Sequence, residues 1–190
     1  MIIRSLITQI SSFTYFNKSV KNDKSFLESF LLIYPNGINE FNISDAISEF
    51  EKTLTTPNSK FDKFLKGDKL SLSKDELKGY KTFKEYGCIS CHNGVNIGGN
   101  LIQKIGIVDN YNTDDLGRYY VTKDESDKFY FKVPTLRNID LTAPYFHDGK
   151  VGTLKEAVEK MIKYQIGYLL DEEDIENIVK FLKTLNGDLP

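Results

Sequence analysis

The sequence predicts a mainly α fold, and three observations carry that reading. Apolar residues recur at helical spacing in several separate stretches. Ser/Thr-x-x-Glu patterns open two of those stretches. Only one short stretch alternates in the manner of a strand. Met1–Ile10 is interrupted by Arg4, Thr8 and Gln9, so it reads as a short helix and not as a signal-peptide core. Phe26, Leu27, Phe30, Leu31 and Ile33 form a helical stripe, which Tyr34-Pro35-Asn36-Gly37 breaks. Ser44 is the expected N-cap of a helix carrying Ala46, Ile47, Phe50 and Leu54, and the turn residues Thr55 to Ser59 end it. The connector to Leu72 holds a short helix at Phe61–Leu65. Ser73 and Glu76 form a capping box for a helix through Leu77, Tyr80, Thr82 and Phe83 that stops at Gly87. Residues 93–118 carry five glycines among many Asn and Asp and read as a long loop. Arg118–Thr122 and Lys128–Val133 are expected to pair as a small β-hairpin, because Phe129, Phe131 and Val133 alternate with Tyr130 and Lys132. Thr153 and Glu156 make a second capping box, opening a helix that carries Met161. Asp171 caps a last helix, with Ile175, Ile178, Val179, Leu182 and Leu185 along one side.

The 190 residues suffice for one or two domains. A formal charge of −2, from 25 basic and 27 acidic residues, argues against a nucleic-acid partner or a polybasic membrane contact. With 40% hydrophobic and 27% charged residues the chain is folded and soluble in character. No apolar run approaches the ~20 residues that cross a bilayer. Two Cys, two His and two Met leave few groups for chemistry, and both Cys fall within four residues.

Those few groups converge on Cys88-Ile89-Ser90-Cys91-His92, the attachment pattern for a c-type haem. One helical turn sets two thiols against the two haem vinyl groups, and the next residue brings an imidazole under the iron. His92 is then the proximal ligand. A thioredoxin-type redox pair would expect a βαβ setting, which the sequence lacks. A zinc site would need Cys88, Cys91, His92 and His147, with adjacent Cys91 and His92 splayed around a tetrahedral ion. For the sixth iron position the chain offers Met161, 69 residues after His92, or His147, and spacing alone leaves that choice open.

The helices around the motif resemble a class I cytochrome c fold, in which a helix before the haem motif crosses the C-terminal helix. Gly79 and Phe83 on the first, and Phe181 and Leu182 on the last, match that crossing. Longer blocks narrow the resemblance: Phe50 to Leu54, Thr56 to Ser59, Phe61-Asp62, Gly87 to Asn96, Gly98-Gly99, Val133 to Asn138 and Leu141 to Gly149. Together they resemble the bacterial dihaem cytochrome c peroxidases. In that family a C-terminal haem accepts electrons from a small redox protein and passes them to an N-terminal haem, where hydrogen peroxide is reduced to water.

The resemblance implies one covalent haem c on Cys88 and Cys91, with His92 and Met161 as axial ligands. It implies calcium contacts from the backbone carbonyls of Thr142 and Pro144, and an interdomain role for His147. Arg137 is a candidate haem-propionate partner, since a guanidinium suits a carboxylate; an ordinary loop salt bridge is the alternative. The chain departs from the family in having one Cys-x-x-Cys-His motif instead of two. Residues 1–60 match only the end of the family's first domain, and residues 61–190 its haem domain. The expectation is a periplasmic half of a family member from a split or shortened gene, although no export signal is visible. Its expected partners are an electron-donating redox protein, a chain bearing the missing haem, and a second copy in a homodimer. The competing readings are a stand-alone monohaem electron carrier and a structural metal or interaction domain.

Overall fold

The structure, a computed structural model, describes residues 22–190. They fall into two separately packed units, one ending at Thr55 and the other spanning Thr56–Leu189. The short helix expected at Met1–Ile10 lies outside the described residues.

In the first unit, helix α1 (Lys24–Ile33) is capped by Asp23, whose carboxylate accepts from the Phe26 N–H at 3.0 Å. The rings of Phe26, Phe30 and Tyr34 stack along it at 5.6 and 4.7 Å. Helix α2 (Glu40–Thr53) starts earlier than the sequence predicts. Its cap is Asn39, which accepts from the Asn42 N–H, whereas Ser44 sits inside the helix and donates back to the Glu40 carbonyl. Both residues are good caps, and the apolar Ile43, buried one turn before Ala46, settles the start.

The second unit contains α3 (Lys60–Leu65), α4 (Lys74–Glu85), a short α5 (Tyr119–Thr122), α6 (Leu154–Met161) and α7 (Glu172–Lys183). Reciprocal capping boxes open α3 at Ser59/Asp62 and α4 at Ser73/Glu76. At α6 the Thr153 hydroxyl accepts from the Glu156 N–H, but only that half of the expected box is formed. Asp171 caps α7 as expected.

α4 and α7 cross at Gly79. A Cβ there would lie 1.8 Å from the Asn177 carbonyl oxygen, so only glycine permits this approach. Around the crossing, Phe181 meets Phe61, Tyr80 and Phe83 at ring distances of 5.2–5.3 Å. Phe181 and Leu185 are 1% and 0% exposed. Each large apolar side chain buried here contributes roughly 1.5–3 kcal/mol. The same core takes in Ile97, Leu136, Leu154, Val158 and Ile162, joining α6 and the long loop to the helix pair.

The small antiparallel sheet is present with a different partner from the one expected. β1 (Ile102–Lys104) pairs with β2 (Tyr130–Lys132), with Gln103 opposite Phe131, while Tyr119–Thr122 forms a turn of helix. The nearer segment was favoured by sequence proximity. Gly117 and Arg118 still touch β2, the Arg118 N–H donating to the Tyr130 carbonyl at 2.9 Å, but the chain then winds into the helical turn that Lys123, at positive φ, caps.

Candidate functional site

Helix α4 delivers the Cys-x-x-Cys-His run. It ends at Tyr86, and Gly87 at φ +79° turns the chain into a 3-10 turn over Cys88–Ser90. The Cys88 carbonyl accepts from the Cys91 N–H at 3.3 Å and the His92 N–H at 3.0 Å, so both thiols and the imidazole share one turn. Asn93 closes the loop by donating to the Ile89 and Ser90 carbonyls and accepting from Asn100. Both cysteines are free thiols. Burial pushes the Cys88 thiol up to about 11, which holds it as S–H at neutral pH.

Burial pushes the His92 imidazole the other way, below its ordinary value, with backbone groups at Ile97 and Pro134 opposing to a smaller extent. Burial thus favours the neutral ring, the form that ligates a metal. Its Nδ1 is buried and makes no well-formed hydrogen bond among the described residues, although the Ile97 and Pro134 backbone lies close enough to act on the ring. That atom lies beside Gly98, where an added Cβ would come within 3.3 Å of it and 2.1 Å of the Pro134 carbonyl oxygen. With Nδ1 walled in against backbone, Nε2 is the nitrogen left for an iron. Two free thiols, a neutral imidazole and a glycine-lined cradle fit a covalently attached haem.

The alternatives fare worse. Among the described residues no group of three or more His, Cys, Asp or Glu is placed to hold a metal ion. His147, needed for a zinc site, is engaged elsewhere. Its Nε2 lies 3.1 Å from the Thr113 hydroxyl, and its ring stacks on Phe131 at 3.9 Å. A thioredoxin setting is absent too, since the described sheet is one antiparallel pair.

Met161 is the half-buried last residue of α6, between the core residues Val158 and Ile162. The Arg137 fork grips Asp62 at 2.9 and 3.1 Å, and its Nε donates to the Val95 carbonyl at 2.7 Å. This is the loop salt bridge that the sequence left as the alternative to a propionate contact. It ties α3 to the segment just after His92. Thr142 and Pro144 are exposed and follow a 3-10 turn at Ile139–Leu141. Sequence reasoning missed Asp62 as the partner of Arg137, the role of Gly98 beside His92, and Gln165, which binds a loop some sixty residues away. The Gly98-Gly99 pair was the one available signal.

The sequence model of the cytochrome c family matches residues 77–186, a span holding the motif, the loop, α6 and α7. The chain belongs to the cytochrome c family. Ahead of that span, the di-haem cytochrome c peroxidase model matches residues 7–70. This cytochrome is 47% identical over 173 residues to the cytochrome c peroxidase Ccp of Escherichia coli K12, covering 88% of the chain and 37% of that relative. It is 53% identical over 150 residues to the cytochrome c551 peroxidase of Nitrosomonas europaea, covering 78% and 45%. The resemblance to bacterial cytochrome c peroxidases thus holds, although the chain spans less than half the length of these relatives. Among solved structures, a MauG-like protein associated with microbial copper homeostasis superimposes with a TM-score of 0.71. It covers 93% of this chain and 63% of its own at 24% identity, a likeness of fold alone. No described helix is long and apolar enough to cross a membrane.

Proposed function

We propose that residues 56–189 carry one covalent haem c and act as the electron-accepting half of a periplasmic cytochrome c peroxidase. When bound, the haem supplies a one-electron iron couple. Cys88 and Cys91 tether it, and the His92 imidazole and the Met161 thioether would be the chain's ligands for its iron. Thioether ligation opposite His raises the potential, which suits a site that takes electrons from a small redox protein. The observation carrying this reading is the half-buried His92, its Nδ1 enclosed, within one turn of two free thiols. Peroxide reduction would take place at a second haem held outside residues 56–189, since ligation by both His92 and Met161 would leave peroxide no open site on this iron. The exposed residues Thr142 and Pro144, through their carbonyls, and the imidazole of His147 would face that neighbour, with calcium as the candidate bridging ion.

The test has two parts. A reduced small redox protein should pass electrons to this chain rapidly, yet the chain alone should not catalyse peroxide-driven oxidation of that donor. Rapid, saturable turnover by the chain alone would overturn the proposal. In the ferric protein, Met161→Ala should abolish the weak near-infrared band of Met–iron ligation, and survival of the band would remove Met161 from the site.

A further inference from the structure

The chain does not continue as ordinary helix after Met161. It forms a π-helical turn over Ile162–Ile166 that ends at Gly167, φ +75°. Such turns are rare and concentrate at functional sites. Three consecutive residues of this one are fastened to the loop 104–111. The Gln165 carboxamide oxygen accepts from the Gly106 N–H at 2.6 Å and the Ile107 N–H at 3.2 Å, and its Nε2 donates to the Lys104 carbonyl at 3.1 Å. The Tyr164 carbonyl accepts from the Val108 N–H at 3.0 Å, and its ring meets Tyr111 edge-on at 5.2 Å. Lys163 pairs with Asp109 at 3.6 Å, an exposed contact that contributes little. Val108 in turn abuts Gly167, where a Cβ would lie 2.6 Å from its side chain.

Gln165 thus binds three backbone groups of a segment some sixty residues away, and none of its bonds reaches the Cys-x-x-Cys-His turn. Met161 itself is half-buried at the end of α6, between the core residues Val158 and Ile162. Beyond Ile162 the π turn is fastened from outside, by the loop 104–111.

We infer that Gln165 is a positioning residue for Met161, holding the π turn against residues 104–107 and so setting how firmly the thioether binds the iron. This rests on the reading of Met161 as axial ligand. The physical basis is preorganisation. The apparent strength of a ligand bond falls by whatever it costs to order the ligand-bearing segment, and the clamp removes that cost in advance. Loosening it raises the fraction of molecules in which the sixth position is open.

The experiment uses the ferric holoprotein and imidazole as the competing iron ligand. Gln165→Leu keeps the side chain's bulk and removes all three hydrogen bonds. It should bind imidazole on the order of tenfold more tightly, equivalent to about 1.4 kcal/mol, with a weakened near-infrared band. Gln165→Glu keeps an oxygen for the Gly106 and Ile107 N–H groups but sets its second oxygen against the Lys104 carbonyl, so its affinity should fall between wild type and Gln165→Leu. Gln165→Asn, one methylene short of its partners, carries the same readout as Gln165→Leu should the latter fail to take up haem. Wild-type imidazole affinity and an intact band in Gln165→Leu or Gln165→Asn, even with a lowered Tm, would overturn the inference and leave Gln165 a purely structural clamp. Met161→Ala run alongside separates the two ways of failing. If it leaves band and affinity unchanged, the ligand assignment itself falls and the inference with it.

Discussion

Gly98 and Gly99 are adjacent glycines at positive φ, and replacing each by Ala separates backbone strain from steric clash beside His92. At Gly99, φ is +83° and an added Cβ meets nothing within 4 Å. Gly99→Ala therefore costs only the left-handed strain of about 1–2 kcal/mol, offset by about 0.4–1 kcal/mol from a less flexible unfolded chain. At Gly98, φ is +125°, a region that side chains essentially never occupy, and the Cβ would lie 2.1 Å from the Pro134 carbonyl oxygen and 3.3 Å from His92 Nδ1. Pro134 cannot simply retreat. Its neighbours are bonded on both sides, with the Val133 N–H donating to the Leu101 carbonyl, the Gly99 N–H to the Val133 carbonyl, and the Leu136 N–H to the Ile97 carbonyl. Strain of about 1–3 kcal/mol and overpacking of about 1–3 kcal/mol then add, for roughly 2–6 kcal/mol in all. At roughly 2–4 °C of Tm per kcal/mol for a chain this size, Gly98→Ala should melt on the order of 10 °C below wild type and Gly99→Ala within a few degrees of it. Thermal melts of the holoproteins, with the haem spectrum recorded at each temperature, measure both. Equal melting temperatures for the two variants would refute the claim that Gly98 is a steric requirement of the His92 pocket.

Further outcomes follow from other close contacts. Gly79→Ala should destabilise the second unit by about 1–3 kcal/mol despite gaining up to ~1 kcal/mol of helix propensity. Its Cβ would sit 1.8 Å from the Asn177 carbonyl oxygen, and denaturant unfolding decides the sign. At Asp62, burial raises the carboxyl pKa, but hydrogen bonds from Arg137 and Ser59 and the Arg137 charge outweigh it and hold the group below its ordinary 3.8. The stability this contributes is complete above that value and is lost as pH falls through the depressed folded-state value. Asp62→Asn should flatten the acid limb of the stability–pH curve there, and an unchanged limb would count against the pair. Tyr111 is pushed up to about 12, chiefly by burial and then by its hydrogen bond to Asp148. An ultraviolet pH titration of Tyr111→Phe should accordingly match wild type through the range near 10 where exposed tyrosines ionise.

What the sequence revealed and what it hid divide along a physical line. Ser73 with Glu76, Asp171 with its apolar stripe, and the Cys88-to-His92 run are local patterns whose meaning is contained within a few residues. So is Gly79, once a crossing helix is assumed. The β1–β2 pair was misassigned because β1 is three residues long inside a Gly- and Asn-rich loop, too short to show any period. Ser44 was misread because Asn39 competes for the same helix start. The Asp62–Arg137 pair, the walled-in Nδ1 of His92 and the Gln165 clamp join residues 75, 42 and about 60 positions apart. Contacts of that range leave no periodic trace in one sequence. A π turn likewise carries no composition that marks it.

The measurement that bears most directly on this account is the number and attachment of haems in protein made by cells with haem-attachment machinery. The pyridine haemochrome of the denatured protein and its intact mass should give one haem per chain, resistant to acid acetone and lost as a covalent adduct in a Cys88→Ala, Cys91→Ala double variant. Haem that extracts freely, two haems per chain, or an adduct that survives loss of both cysteines would contradict it.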